Sequence, residues 1–298
     1  MPPATSYGPL RDALRGATWP ARRVARATAS GSHPSRLLGS SPEFTEYRLY
    51  RQGEDPRRLD WKLLARTDRA YLRITTDRAT LATAIVLDAS ASMAFPEEGR
   101  GATTKWEQAC RLAVGLLAVA HAAGDPVGLY LATAAGLRAL PPRSRRGTVD
   151  EAARLLEGVS PRGSAPLAPV LALVPPGQRV ALVSDFLGDA EELRRAAAAR
   201  ATEGAEVHAV HVVAAEELRP AVVAGLVSDP EDPTVQRPVV EATRAAYERA
   251  FGEWRAELAR RWRAAGVAYV EVATDEGAAH AVRRVIHPPG DARAPTGR

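Results

Sequence analysis

Two stretches of the chain place acids and hydroxyls directly after apolar runs. Ala84-Ile85-Val86-Leu87 leads into Asp88-Ala89-Ser90-Ala91-Ser92-Met93, and Val180-Ala181-Leu182-Val183 leads into Ser184-Asp185-Phe186. A third stretch, Pro161-Arg162-Gly163-Ser164-Ala165-Pro166-Leu167, offers a hydroxyl just before a helix. Brought to one place, the carboxylates of Asp88 and Asp185 and the hydroxyls of Ser90, Ser92 and Ser164 make an oxygen-only shell. Such a shell suits Mg2+ best, with Mn2+ and Ca2+ as alternatives, and suits soft metals poorly. An ion in direct contact with mostly neutral hydroxyls keeps positive charge and attracts a carboxylate from outside. The competing reading is structural: Ser90 and Ser92 cap the segment that follows, and Asp88 satisfies loop amides.

Other groupings carry less. His208 and His211 lie three apart in a strand pattern, so they point to opposite faces and cannot share a metal. The six histidines show no ligand spacing. There is no phosphate-binding glycine loop after the first strand and no Gly-x-Ser-x-Gly elbow. Glu97-Glu98, Glu191-Glu192 and Glu216-Glu217 read as solvated helix starts and loops rather than acid/base pairs. The residues point away from an enzyme.

The elements that must position these groups alternate. Ala84–Leu87 is a short continuous apolar run, as expected for a strand covered on both faces. Thr104 caps a helix to about Ala123. Strands follow at Val127–Thr133 and Leu137–Leu140, then helices at Thr148–Glu157 and from Pro166 or Leu167 to Val174. Next come a strand at Arg179–Ser184, a helix at Ala190–Thr202 and a strand at Glu206–Val213. After an irregular stretch, a long helix spans Glu241–Ala265, a strand Val267–Val272 and a last helix Glu276–Ile286. Repeated strand and helix with short connections predict a doubly wound, mainly parallel α/β sheet of Rossmann-like type. Such sheets bind ligands beyond the carboxyl ends of their strands, where strand order reverses.

Four regions follow: a mobile Arg/Pro/Ala-rich tail at 1–38, a compact segment at 39–81, the α/β domain at 82–287, and a disordered tail at 288–298. In the second, Asp55-Pro56 followed by Leu59, Leu63 and Leu64 reads as a capped short helix. Its aromatics need cover, so the segment is expected to pack as an extension on the domain. The chain has 298 residues, 46% apolar and 25% charged, ordinary values for a soluble globular protein. Its net charge of +5 resides in the first region, where Arg11, Arg15, Arg22, Arg23, Arg26 and Arg36 face only Asp12. Lys62 and Lys105 are the two lysines among 40 basic residues, so arginine dominates throughout. Cys110 is the single cysteine, which rules out an intrachain disulfide and fits a reducing cytoplasm. The N-terminus lacks the apolar core of a signal peptide. The longest apolar helical run, Leu112 to Gly124, falls short of the ~20 residues a spanning helix needs. A soluble, cytoplasmic protein is expected.

The Asp-x-Ser-x-Ser of 88–92, the hydroxyl of Ser164 and the Asp185 that ends a later strand together resemble the metal-ion-dependent adhesion site of von Willebrand factor A domains. That resemblance implies direct ligation by Ser90 and Ser92, with Asp88 and Asp185 acting largely through water. Its second-loop threonine falls on Ser164, which keeps the hydroxyl but loses the methyl that stiffens it. Upstream, Glu43-Phe44-x-x-Tyr47-Arg48-x-Tyr50-x-x-Gly53-Glu54-Asp55-Pro56-Arg57-Arg58-Leu59-Asp60-Trp61-Lys62-x-x-Ala65-Arg66-Thr67 resembles the signature of the family called domain of unknown function 58. Thr104-Lys105-Trp106-Glu107, Gly124-Asp125-x-Val127-Gly128-Leu129 and Asp229-Pro230-Glu231 agree with it. Arg48, Arg57, Asp60, Trp61 and Arg66 either bind a partner or form a buried ion-pair and stacking cluster, and the second is favoured because guanidinium planes pack and pair in this way.

The resemblance implies a non-enzymatic, metal-dependent interaction module. Its partners would be an AAA+ ATPase of MoxR type and a client protein, met through an acidic side chain at the metal. One alternative is a metal-dependent hydrolase, which lacks an evident general base. The other is nucleic-acid binding through the basic tail, which lacks the interleaved aromatics that stack bases.

Overall fold

The computed structural model describes residues 7–21, 30–34, 44–51, 59–75, 78–96, 102–188, 190–220, 225–228, 236–239 and 241–288. The chain divides into two compact units, one formed by 1–19 with 82–298 and the other by 20–81.

Helix α1 (Gly8–Ala13) opens the larger unit. The smaller unit contains β1 (Ser30–Pro34), β2 (Phe44–Leu49), α2 (Trp61–Thr67), β3 (Tyr71–Thr75) and β4 (Arg78–Ala79). Strand β1 pairs antiparallel with β4, and β2 with β3. Helix α2 begins at Trp61, because the Asp60 carboxylate accepts from the amides of Lys62 and Leu63, each at 3.0 Å. The other oxygen of Asp60 accepts from the Tyr47 hydroxyl at 2.9 Å. The cap expected at Asp55-Pro56 lies outside the described residues, as does Arg57. Trp61 is 62% exposed, so its ring is not the buried stacking partner expected. The first residue of a short helix simply projects its ring outward.

The remaining elements are β5 (Thr83–Asp88), α3 (Lys105–Ala122), β6 (Val127–Thr133), β7 (Gly136–Arg143), α4 (Thr148–Glu157), α5 (Leu167–Leu173), β8 (Arg179–Ser184), α6 (Ala190–Thr202), β9 (Glu206–Val213), α7 (Ala215–Leu218), β10 (Gly225–Ser228), β11 (Gln236–Val239), α8 (Glu241–Ala264), β12 (Ala268–Ala273) and α9 (Ala278–Ile286). A six-stranded sheet runs in the order β12-β9-β8-β5-β6-β7, parallel throughout except for β7. This is the doubly wound, mainly parallel arrangement read from the alternation of elements. Strand β7 lies at the sheet edge, where Pro141 and Pro142 withhold amides without breaking a ladder between two neighbours. Gly128 sits at the irregularity between β6 and β7, where a Cβ would stand 2.7 Å from the Pro142 nitrogen.

The central strands β5, β8 and β9 are buried at every position and mostly apolar, because helices cover both faces. Ile85, Leu87, Ala181 and Val183 pack with Leu112, Leu116, Val149 and Val282 on one side. Ala84, Val86, Val180 and Leu182 pack with Leu171, Leu193, Leu258 and Trp262 on the other. Burial of each such Leu or Val side chain contributes about 1.5–3 kcal/mol.

The N-terminal stretch corrects the reading of 1–38 as a mobile tail. Tyr7, Leu14 and Trp19 are buried in the first of these cores. The Arg179 guanidinium lies 4.5 Å from the centre of the Trp19 ring, donates to the Trp19 carbonyl at 3.0 Å, and pairs with Glu206 and Asp125. Three well-spaced large side chains anchor a segment whose composition is otherwise that of a tail. Strand β1 falls in the same expected tail. The hairpin of β10 and β11 occupies part of the stretch expected to be irregular. Among the described residues no helix is long and apolar enough to cross a membrane.

Candidate metal centre

Strand order reverses between β5 and β8, and these adjacent parallel strands deliver Asp88 and Asp185 to the same sheet edge. Leu87 pairs in register with Val183, which sets Asp88 beside Ser184. The Ser184 hydroxyl donates to Asp88 Oδ2 at 2.6 Å and accepts from the Phe186 amide at 2.9 Å. Asp88 Oδ1 accepts from the Ser90 amide at 2.8 Å. Burial first, and then the charge of Asp185, pushes the Asp88 carboxyl up to about 6, against the opposing hydrogen bonds of Ser184 and Ser90. A buried carboxylate that faces another acid lacks a countercharge.

Ser90 precedes a short 3-10 turn, Ala91–Ala94, but its side chain makes no capping bond. Its hydroxyl lies 3.1 Å from that of Ser92, and both residues are buried. The structural alternative is therefore met by half: Asp88 does hold a loop amide, whereas the two serines turn toward each other. The loop bearing Ser164 is locked alongside. The Arg162 amide donates to the Ala89 carbonyl at 3.1 Å, and the Ala91 amide to the Gly163 carbonyl at 2.8 Å. Gly163 adopts φ +58, a left-handed conformation that glycine takes without strain. Ser164 itself is exposed.

Asp185 is engaged from another direction. Its Oδ2 accepts from Lys105 Nζ at 2.6 Å, and its Oδ1 from the Leu187 amide at 3.2 Å. Lys105 is 1% exposed and also donates to Glu217 Oε1 at 2.9 Å. Burial works against its charge, but Asp185 and Glu217 outweigh it and raise the pKa above the ordinary lysine value. The residue stands at the first position of α3. There Thr104 and Glu107 close a capping box, and its own amide donates to the Phe95 carbonyl at 2.8 Å. Phe186, after Asp185, holds a left-handed φ of 53. Strain of this kind in a non-glycine residue gathers at functional sites. Next to it His211 is neutral, burial holding it down to about 3, with Nδ1 2.6 Å from the Tyr269 hydroxyl. His208 packs instead on Trp19, on the opposite face.

Among the described residues no three His, Cys, Asp or Glu side chains gather as metal ligands. A cation here would depend on the serine hydroxyls, and that donor set matches a hard ion. Asp88 with its missing countercharge and the paired hydroxyls of Ser90 and Ser92 fit such an ion. Asp185 fits it too, shared with Lys105.

The model of the family described as "Protein of unknown function DUF58" matches residues 46–257. The chain belongs to this family. Uncharacterized proteins of Mycobacterium tuberculosis and Mycobacterium bovis are each 29% identical to this DUF58 chain over 293 residues, covering 92% of it and 89% of their own length. Among solved structures, the conserved hypothetical protein BatB from Bacteroides thetaiotaomicron is similar at 22% identity and a TM-score of 0.46, over 69% of this chain and 97% of that one. The SpRpn10 VWA domain is similar at 11% identity and a TM-score of 0.40, over 68% and 94%.

Sequence reasoning missed three members of the site of this DUF58 protein. Ser184 was visible only as a neighbour of Asp185, and its bond to Asp88 depends on register. Glu217 corrects the reading of Glu216-Glu217 as a solvated pair, since one of the two turns inward to Lys105. Lys105 did carry a signal: it is a lysine in a chain whose cations are otherwise almost all arginine.

Proposed function

We propose that this DUF58 protein is a non-enzymatic protein-interaction module that uses a divalent cation, Mg2+ in preference to Mn2+ or Ca2+. Ser90 and Ser92 would touch the ion directly, Asp88 and Asp185 would hold it largely through water, and Ser164 would close the rim. The observation that carries the reading is the buried, uncompensated Asp88 beside two serine hydroxyls that face each other rather than cap the loop. The ion would supply a Lewis-acidic position open to a partner's carboxylate. Holding that position is the work of the chain: β5 and β8 fix the two acids, and the 161–163 loop fixes the serine loop from its far side.

The resemblance read from the signature block makes an AAA+ ATPase of MoxR type, acting with a client protein, the partner to test first. The purified chain is incubated with such an ATPase in Mg2+ and then in chelator. Binding that needs the cation, and is lost in Asp88→Ala and Asp185→Ala while the fold survives, supports the reading. Turnover of a generic phosphoester that needs the cation and Asp88, with no ATPase bound, would replace it by the hydrolase reading.

A further inference from the structure

Lys105 stands where a second cation would be unwelcome. Its ammonium is enclosed, with a side chain 1% exposed, and bridges Asp185 at 2.6 Å and Glu217 at 2.9 Å. The two carboxylates differ in setting. Asp185 ends β8 and is 3% exposed, whereas Glu217 lies on the separate four-residue helix α7 and is 17% exposed. An ammonium is a compact point charge on a flexible stem and can swing between two acids, which a planar guanidinium fork does less readily. With Asp88 ionised, Asp88, Asp185 and Glu217 carry three negative charges against the one ammonium of Lys105, a net of two that one divalent ion balances.

We propose that Lys105 is the resident counter-cation of the site: it holds Asp185 when no ion is bound, and an arriving divalent ion displaces it onto Glu217, so that occupancy is carried to α7. The proposal rests on the cation-site reading above and adds its regulation. Glu217 is placed to transmit the change. Its Oε2 accepts from the Ala214 amide at 2.8 Å, at the end of β9. The neighbouring Ala215 amide donates to Thr274 Oγ1 at 3.0 Å, and Arg219 pairs with Asp275 at 2.5 Å. A shift of Glu217 therefore reaches both the loop after β9 and the loop after β12, at the same sheet end as Asp88 and Asp185.

The test is a Mn2+ titration of the full chain at pH 7.5, followed by the spin resonance of free Mn2+, for wild type, Lys105→Met and Glu217→Gln. Removing the ammonium removes repulsion between like charges only a few ångströms apart, so Lys105→Met should bind at least about tenfold more tightly. Glu217→Gln should bind about threefold or more weakly, because the displaced ammonium loses its second acid. Amide exchange across 214–219 should change on adding Mn2+ to wild type and stay constant in Lys105→Met. Uptake by Lys105→Met alone overturns the displacement, the lysine then excluding the ion from wild type. Equal or weaker binding by Lys105→Met, with wild type binding, overturns the role of Lys105 and leaves the cation site standing. No uptake by any of the three overturns both. Should Lys105→Met fail to fold, Glu217→Gln decides, and unchanged affinity in it overturns the proposal.

Discussion

Replacing Asp88 by asparagine should stabilise the protein when chelator is present. The folded state moves this carboxyl from 3.8 to about 6, through burial and the facing charge of Asp185. Above pH 6 the ionised group therefore costs about 3 kcal/mol, at about 1.4 kcal/mol per unit. The sign follows from linkage. A raised acid contributes its full stability below pH 3.8, loses it as pH climbs through the window to about 6, and is flat beyond. Asparagine keeps an oxygen for the Ser90 amide, but its NH2 faces a Ser184 hydroxyl that now donates to Asp88. Reorienting that hydroxyl costs about 1 kcal/mol, which leaves a gain of roughly 2 kcal/mol at pH 7.5. The measurement is urea denaturation of both proteins in chelator at pH 7.5 and pH 5. The gain should shrink by half or more at pH 5. His211, held down to about 3 by burial, acts with the opposite sign, losing stability as pH falls below its ordinary value of 6.5. It is present in both proteins, so the difference cancels it. An Asp88→Asn protein no more stable than wild type at pH 7.5 would refute the claim that Asp88 lacks a countercharge.

Trp19→Ala should destabilise the larger unit by about 3–5 kcal/mol, since the ring is buried against Arg179. A loss under about 1 kcal/mol in thermal unfolding would mean that the N-terminal stretch is not anchored there. Thr104→Ala should cost about 1 kcal/mol through the lost capping box. It should also loosen Lys105 from Asp185, which a strengthened Mn2+ response in melting temperature relative to an equally destabilised core variant would register. Ser164→Ala should weaken cation binding modestly and Ser164→Thr should preserve or improve it, measured by the same melting shift. Identical shifts in the two variants would remove Ser164 from the site.

The sheet was legible because its strands are covered on both sides. Continuous apolar runs such as 84–87 and 180–183 leave little room for another assignment, and the polar residues that end them marked the switch point. Thr104 likewise marked the start of α3 through a side-chain cap that has a sequence signature. What escaped reading depends on contacts between distant residues. Tyr7, Leu14 and Trp19 dock a stretch rich in Arg and Ala, and Arg179 reaches back 160 residues to hold it. The site divides in the same way. Asp88, Ser90 and Ser92 were evident as a local pattern, whereas the pairing of Lys105 with Asp185 and Glu217 spans 80 and 112 residues. No periodicity signals an ion pair of that reach. Trp61 failed for a different reason: alternating charges beside an aromatic suit a buried cluster and an exposed helix start equally well.

The central claim is that a hard divalent cation binds at the carboxyl ends of β5 and β8 through Asp88 and the two serines. Calorimetric titration of Mg2+ and Mn2+ into wild type, Asp88→Ala and Ser92→Ala tests it most directly. One site per chain is expected in wild type, none in Asp88→Ala, and at least about tenfold weaker binding in Ser92→Ala, in which a direct oxygen ligand would be lost. Equal affinity in all three proteins would place the ion elsewhere, away from Asp88 and Ser92.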